Sequence, residues 1–158
     1  MKMLLLLMIL APFTVAGEPT LIYLMRHAEK VDESRDADLS KRGQQRAESL
    51  AELFAKIKVD QLICTQFQRT RKTLIPLAAQ QKLEPMVIRA EDPEQLVVLA
   101  QASAGKTIVI AGHSNTLPDL VQRLGGPEIT IAHDSYRDLF LLVLHEKGAR
   151  LQIFQREP

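Results

Sequence analysis

The chain has 158 residues, 46% of them hydrophobic and 25% charged, with 20 Lys plus Arg against 19 Asp plus Glu. That size and mix describe one ordinary globular domain around a single core, not a disordered or fibrous chain. Balanced charge, together with two Tyr, five Phe and no Trp, excludes the basic, aromatic-interleaved surface of a nucleic-acid binder.

The chain opens on "MKMLLLLMILAPFTVAG": an early Lys, an apolar run over residues 3–10, Pro12, then small residues. This is the three-part layout of a secretory signal peptide over residues 1–17, cut after Ala16 or Gly17. The run is shorter than the roughly 20 apolar residues of a membrane span. The expectation is a periplasmic or secreted protein whose mature domain, residues 18–158, has no stable membrane insertion. The single Cys64 cannot form an internal disulfide, and its place in "QLIC" reads as a small buried hydrophobe.

In the mature chain, residues 21–25 read as a strand buried on both faces. "LSKRGQQRAESLAELFAKIK" carries Ala47, Leu50, Leu53, Phe54 and Ile57 at helical spacing, with Ser40 as N-cap. "VDQLICT" is a second strand, and residues 69–81 form a helix in which Pro76 predicts a kink or break. "EPMVIRA" is a third strand, and Asp92-Pro93 starts a helix running to about Ser103 before Gly105. "KTIVIAGH" is the strongest strand, and Asn115 or Thr116 caps the helix that follows it, with Pro118 in its first turn. "DLFLLVLHE" and "RLQIFQRE" close the chain as strands joined at "KGA", where Gly148 supplies a tight turn.

This alternation predicts an α/β fold with three α/β/α layers, a mostly parallel sheet and an antiparallel edge. Ligands in such sheets bind beyond the carboxyl ends of the strands. Arg26 and His27 follow the first strand, Arg69 comes shortly after the second, and His113 ends "TIVIAGH". Two arginine forks and two imidazoles at one edge make a pocket for phosphate, and His113 also precedes a helix N-terminus. A neutral imidazole there can attack phosphorus and form a covalent phosphohistidine. Flanking arginines hold it neutral and stabilise the equatorial oxygens of the transition state.

"LMRHAEK", "LSKRGQQRA", "TQFQRTRKT" and "IAGHSNT", in this order, resemble the histidine phosphatase superfamily, whose fold is that of phosphoglycerate mutase. The resemblance implies that His27 is the phospho-accepting nucleophile, with Arg26, Arg69 and His113 completing the phosphate pocket. It implies a general acid beyond the third strand. Glu91 is the candidate by position, Glu29 lies beside the nucleophile, and Asp92 reads more as a helix cap. The sequence departs from the family pattern at Ala28, where many members have Gly, and at Glu33, in the region where others place an Asn.

His133 and His145 lack partners at ligand spacing and read as ordinary histidines, and Arg71 and Lys72 as a solvated face. No HxxxH, HExxH, CxxC or GxxxxGK[ST] pattern occurs, so neither metal nor cofactor is expected. The expected activity is a metal-independent phosphomonoesterase acting on a small phosphorylated substrate. A mutase, a phosphohistidine protein phosphatase and a non-catalytic phosphate-ligand binding module are the alternatives.

Overall fold

The computed structural model describes residues 17–155; the signal-peptide reading therefore lies, except for Gly17, outside the described residues. Ten elements follow in order: β1 (Thr20–Arg26), α1 (Lys41–Leu53), β2 (Gln61–Cys64), α2 (Gln68–Gln81), β3 (Met86–Val87), α3 (Pro93–Gln101), β4 (Thr107–Gly112), α4 (Leu117–Arg123), β5 (Asp138–His145) and β6 (Gly148–Gln155). The strands form one sheet in the order β3-β2-β4-β1-β5-β6. β3, β2, β4 and β1 are parallel, while β5 and β6 add antiparallel. This is the expected α/β architecture.

The apolar runs of β1 and β4 are continuous because both faces of these central strands are covered. Ile22, Leu24, Ile108 and Ile110 pack with Val97 of α3 and Leu117, Leu120 and Val121 of α4. The alternate residues Met25, Val109 and Ala111 pack with Leu50 of α1 and Leu74 and Leu77 of α2. Two apolar layers therefore clamp the middle of the sheet, and the strand ends are fixed relative to one another. Register pairs Arg26 with Gly112, so β1 and β4 end side by side.

Helix starts follow the sequence. The Ser40 hydroxyl accepts the Gly43 amide at 3.1 Å, and the Asp92 carboxylate accepts the Gln95 amide at 3.2 Å. Thr116 occupies the N-cap of α4 without a side-chain capping bond. Of the kink or break expected at Pro76, the break does not occur: helix α2 runs unbroken through it. Pro76 removes one amide, yet Leu74, Leu77 and Ala78 on either side are anchored in the core, and that packing outweighs one missing bond. The third strand contracts to two residues. His145 pairs with Gly148 (φ +138°), so a two-residue turn joins β5 to β6.

Candidate active site

Arg26 is the last residue of β1, and His27 continues it, its amide bonding the Gly112 carbonyl of β4 at 2.9 Å. His113 follows β4, and Arg69 lies in the first turn of α2. The strand ends bring the two histidines together, with ring centroids 5.5 Å apart at 61°. Arg26, His27 and His113 are each less than a tenth exposed. The sequence placed these four residues at one sheet edge, and the structure puts them there.

His27 Nδ1 lies 2.7 Å from the carbonyl of Ala28. A carbonyl only accepts, so Nδ1 carries the proton and Nε2 is left with its lone pair. Burial lowers the imidazole from 6.5 to about 3; the Ala28 bond opposes this, and Arg26, His113 and Arg69 add to it. Burial also lowers His113, to about 4, with Arg69 and Arg26 adding and Glu91 opposing. Both rings are therefore neutral at physiological pH.

The arginines are held from outside the cluster. Arg26 Nη1 donates to the backbone carbonyl of His133, and the guanidinium carbon lies 4.2 Å from the Tyr136 ring centre. Arg69 Nη1 donates to the Arg35 carbonyl at 2.7 Å and stacks on Phe67 at 4.4 Å. Each arginine buries an Nε–H with no hydrogen-bond partner. Two unsatisfied buried cationic donors beside two neutral imidazoles are what a bound anion would complete.

Ala28 is packed against Leu39 and Ala47, and its amide donates to Thr73 Oγ1 at 2.9 Å. Thr73 in turn donates to the Arg69 carbonyl at 2.7 Å, tying the His27 loop to the turn that carries Arg69.

Of the candidate acids, Glu29 is committed elsewhere. Arg46 grips it with contacts of 2.6, 2.8 and 3.0 Å. Burial works to raise its carboxyl, but Arg46 prevails and holds it below the ordinary value. Asp92 caps α3. Glu91 is the exposed carboxylate whose charge reaches His113. Gln66 positions it, accepting the Ala90 amide at 2.9 Å and donating to both Glu91 oxygens at 3.1 Å. Its own backbone amide, then Gln66 and Arg89, hold Glu91 below the usual carboxylate value.

Sequence reading missed Thr65, Gln66, Phe67, Thr70, Thr73 and Tyr136. The first five lie inside the quoted "TQFQRTRKT" block, of which only Arg69 was singled out. Tyr136 carried no signal, being an aromatic in a loop remote in sequence. His133 contributes its backbone carbonyl to Arg26. Among the described residues, no group of three or more His, Cys, Asp or Glu gathers as a metal site, and no helix is long and apolar enough to cross a membrane.

No curated protein matches the sequence. Among solved structures, the alpha-ribazole phosphatase of Shigella flexneri superposes with a TM-score of 0.70 at 14% identity, covering 86% of this chain and 96% of its own. A phosphoserine phosphatase of Entamoeba histolytica in complex with 3-phosphoglyceric acid gives 0.68 at 16% identity, covering 87% and 98%. The protein histidine phosphatase SixA complexed with tungstate gives 0.68 at 17%, covering 85% and 96%. These likenesses show the fold. The sequence model of the histidine phosphatase superfamily (branch 1) matches residues 22–92, which hold Arg26, His27, Arg69 and Glu91, and His113 joins them from β4. That match spans less than half of the chain; with the shared fold, it makes the chain similar to the histidine phosphatase superfamily.

Proposed function

We propose that the protein is a metal-independent phosphatase that hydrolyses phosphomonoesters through a covalent phosphohistidine on His27. The observation that carries this reading is the orientation of His27: Nδ1–H is held on the Ala28 carbonyl, leaving the Nε2 lone pair beside the buried arginines. In the first step Nε2 attacks phosphorus and the ester P–O bond breaks. The leaving oxygen takes a proton from Glu91. In the second step water attacks the phosphohistidine, Glu91 takes its proton, the N–P bond breaks and orthophosphate leaves. Arg26, Arg69 and His113 hold the three equatorial oxygens.

Glu91 must be protonated for the first step, and in the free protein it is held ionised. A phosphate dianion arriving beside it favours its neutral form, so substrate itself primes the acid. Brief exposure to phosphate-labelled ester followed by denaturation should leave acid-labile label on His27. His27→Ala should carry none and should lose turnover; turnover surviving in that variant would refute the mechanism.

A phosphohistidine on a protein is the second substrate class. It is favoured by the exposure of Glu91 at the mouth of the site and by the fold shared with SixA along nearly its whole length. A panel containing small esters and a phosphohistidine protein separates the two. The leader-like segment 1–17 supports export to the periplasm or medium. Intact mass of exported protein that retains residues 1–16 would contradict that.

A further inference from the structure

His113 has a polar partner on one ring nitrogen, and its chain of hydroxyls can be followed to an end. Thr65 Oγ1 lies 2.9 Å from His113 Nε2 and 2.8 Å from Thr70 Oγ1. Thr70 Oγ1 in turn lies 2.9 Å from the Phe67 carbonyl and 3.2 Å from the Thr65 carbonyl. All three side chains are buried.

Each hydroxyl has one proton, and carbonyls only accept. Thr70 faces two carbonyls, so its proton goes to them; were it turned away, buried lone pairs would oppose each other. Thr70 is then only an acceptor toward Thr65, and the Thr65 proton goes to it. Thr65 is left as only an acceptor toward His113, so the proton between them belongs to His113 Nε2. Neutral His113 consequently presents Nδ1 as a lone pair.

A phosphate oxygen also presents lone pairs, so the two meet only across a proton. We infer that Thr65 and Thr70 form a one-way hydroxyl relay that fixes the His113 proton on Nε2, so that a tetrahedral dianion binds at Nδ1 only together with a proton. The inference rests on the phosphate-pocket reading and deepens it. Thr65 and Thr70 are positioning residues, acting through His113. The charges facing His113 are Arg69 and Arg26, which oppose a proton there, and Glu91, which favours one; neutral His27 stands beside it. An entering dianion offsets the arginines and tips that balance toward imidazolium. His113 then donates a charge-assisted bond rather than a neutral one.

The test uses histidine-labelled full-length protein and NMR of the imidazole nitrogens near neutral pH. Ligand-free wild type and Thr65→Ser should both show His113 as the Nε2–H tautomer. Thr70→Val removes the acceptor for the Thr65 proton, so Thr65 turns to donate to Nε2 and the ring should switch to Nδ1–H. An Nδ1–H tautomer in wild type, or no switch in folded Thr70→Val, overturns the relay. If Thr70→Val does not fold, wild type and Thr65→Ser still decide it.

Calorimetry with tungstate, in buffers of different ionisation enthalpy, reads the coupled step. Wild type should take up about one proton more per tungstate than Thr70→Val, any uptake at Glu91 being common to both, with the bound wild-type spectrum showing His113 doubly protonated and His27 not. Thr70→Val should bind about tenfold more weakly, the difference between a charged and a neutral donor. Tungstate binding to wild type with His113 still singly protonated, or with the same proton uptake as folded Thr70→Val, overturns the coupling. Absence of tungstate binding overturns the phosphate-pocket reading, a failure distinct from that of the tautomer.

Discussion

The Arg26 guanidinium carbon lies 4.2 Å from the centre of the Tyr136 ring, so the last residue of β1 is covered by the loop that leads into β5. The same loop supplies the His133 carbonyl to Arg26 Nη1. Together these contacts aim a side chain that carries an unsatisfied Nε–H. A desolvated cation–π contact is worth about 1–2 kcal/mol. Tyr136→Ala should therefore weaken competitive inhibition by orthophosphate by about 5- to 30-fold. Tyr136→Phe, which keeps the ring, should retain most of the affinity. Equal losses in both variants would show that the ring face is not what positions Arg26.

The buried imidazoles make stability depend on pH in a defined direction. His27 and His113 are lowered to about 3 and about 4 from 6.5, so below 6.5 the unfolded chain binds protons that the fold refuses. Their contribution is fully present above 6.5 and is lost as pH falls from there toward 4. The slope reaches at most about 2.7 kcal/mol per pH unit for two histidines. Urea melts at neutral pH and near pH 5 should show it, and His113→Gln should remove about half. Activity should behave differently, because His27 stays a neutral nucleophile over this range. An acid limb of kcat/KM centred at the ordinary histidine value, beyond the one set by the ester's own second ionisation at about 6, would contradict a neutral buried His27.

The difference between legible and illegible features is one of range. β1 and β4 could be read because a strand covered on both faces needs apolar residues at every position, and that demand is local. The four pocket residues could be read because each ends or directly follows a strand or opens a helix. The break allowed for at Pro76 does not occur because the proline's cost is local, whereas the packing of Leu74 and Leu77 that overrides it is tertiary. Glu29 stayed open for the same reason: its place in sequence is beside His27, while its carboxylate belongs to Arg46 of α1. Thr65 and Thr70 acquire meaning only when β2 and β4 end together. Two threonines flanking Arg69 in one block were the available signal.

The two glutamates should separate by leaving group. A general acid matters most when the departing oxygen is a poor leaving group, where its loss costs about 100-fold or more. Glu91→Gln should thus slow hydrolysis of an alkyl phosphate by that factor and of nitrophenyl phosphate by less than about tenfold. Glu29→Gln should leave the ratio of the two substrates unchanged. Its effect should fall on stability, about 1–3 kcal/mol, because Arg46 is left nearly buried without its carboxylate partner. A leaving-group dependence in Glu29→Gln and none in Glu91→Gln would reverse the assignment.

Gly43 poses a sharper test of how the nucleophile loop is held. It lies inside α1, where Gly→Ala on helix propensity alone should stabilise by about 1 kcal/mol. A Cβ at that position would fall 2.2 Å from the Glu29 carbonyl oxygen and 3.0 Å from the Glu29 amide nitrogen. Both are backbone atoms, and the same carbonyl accepts the Ser40 amide at 2.9 Å, so neither side can yield without separating α1 from the loop after β1. Overpacking of this kind costs about 1–3 kcal/mol. Gly43→Ala should therefore lower the urea midpoint, and, because the displaced segment is two residues from His27, should reduce kcat on every substrate alike. A stabilised Gly43→Ala with unchanged kcat would mean that α1 and the nucleophile loop move independently.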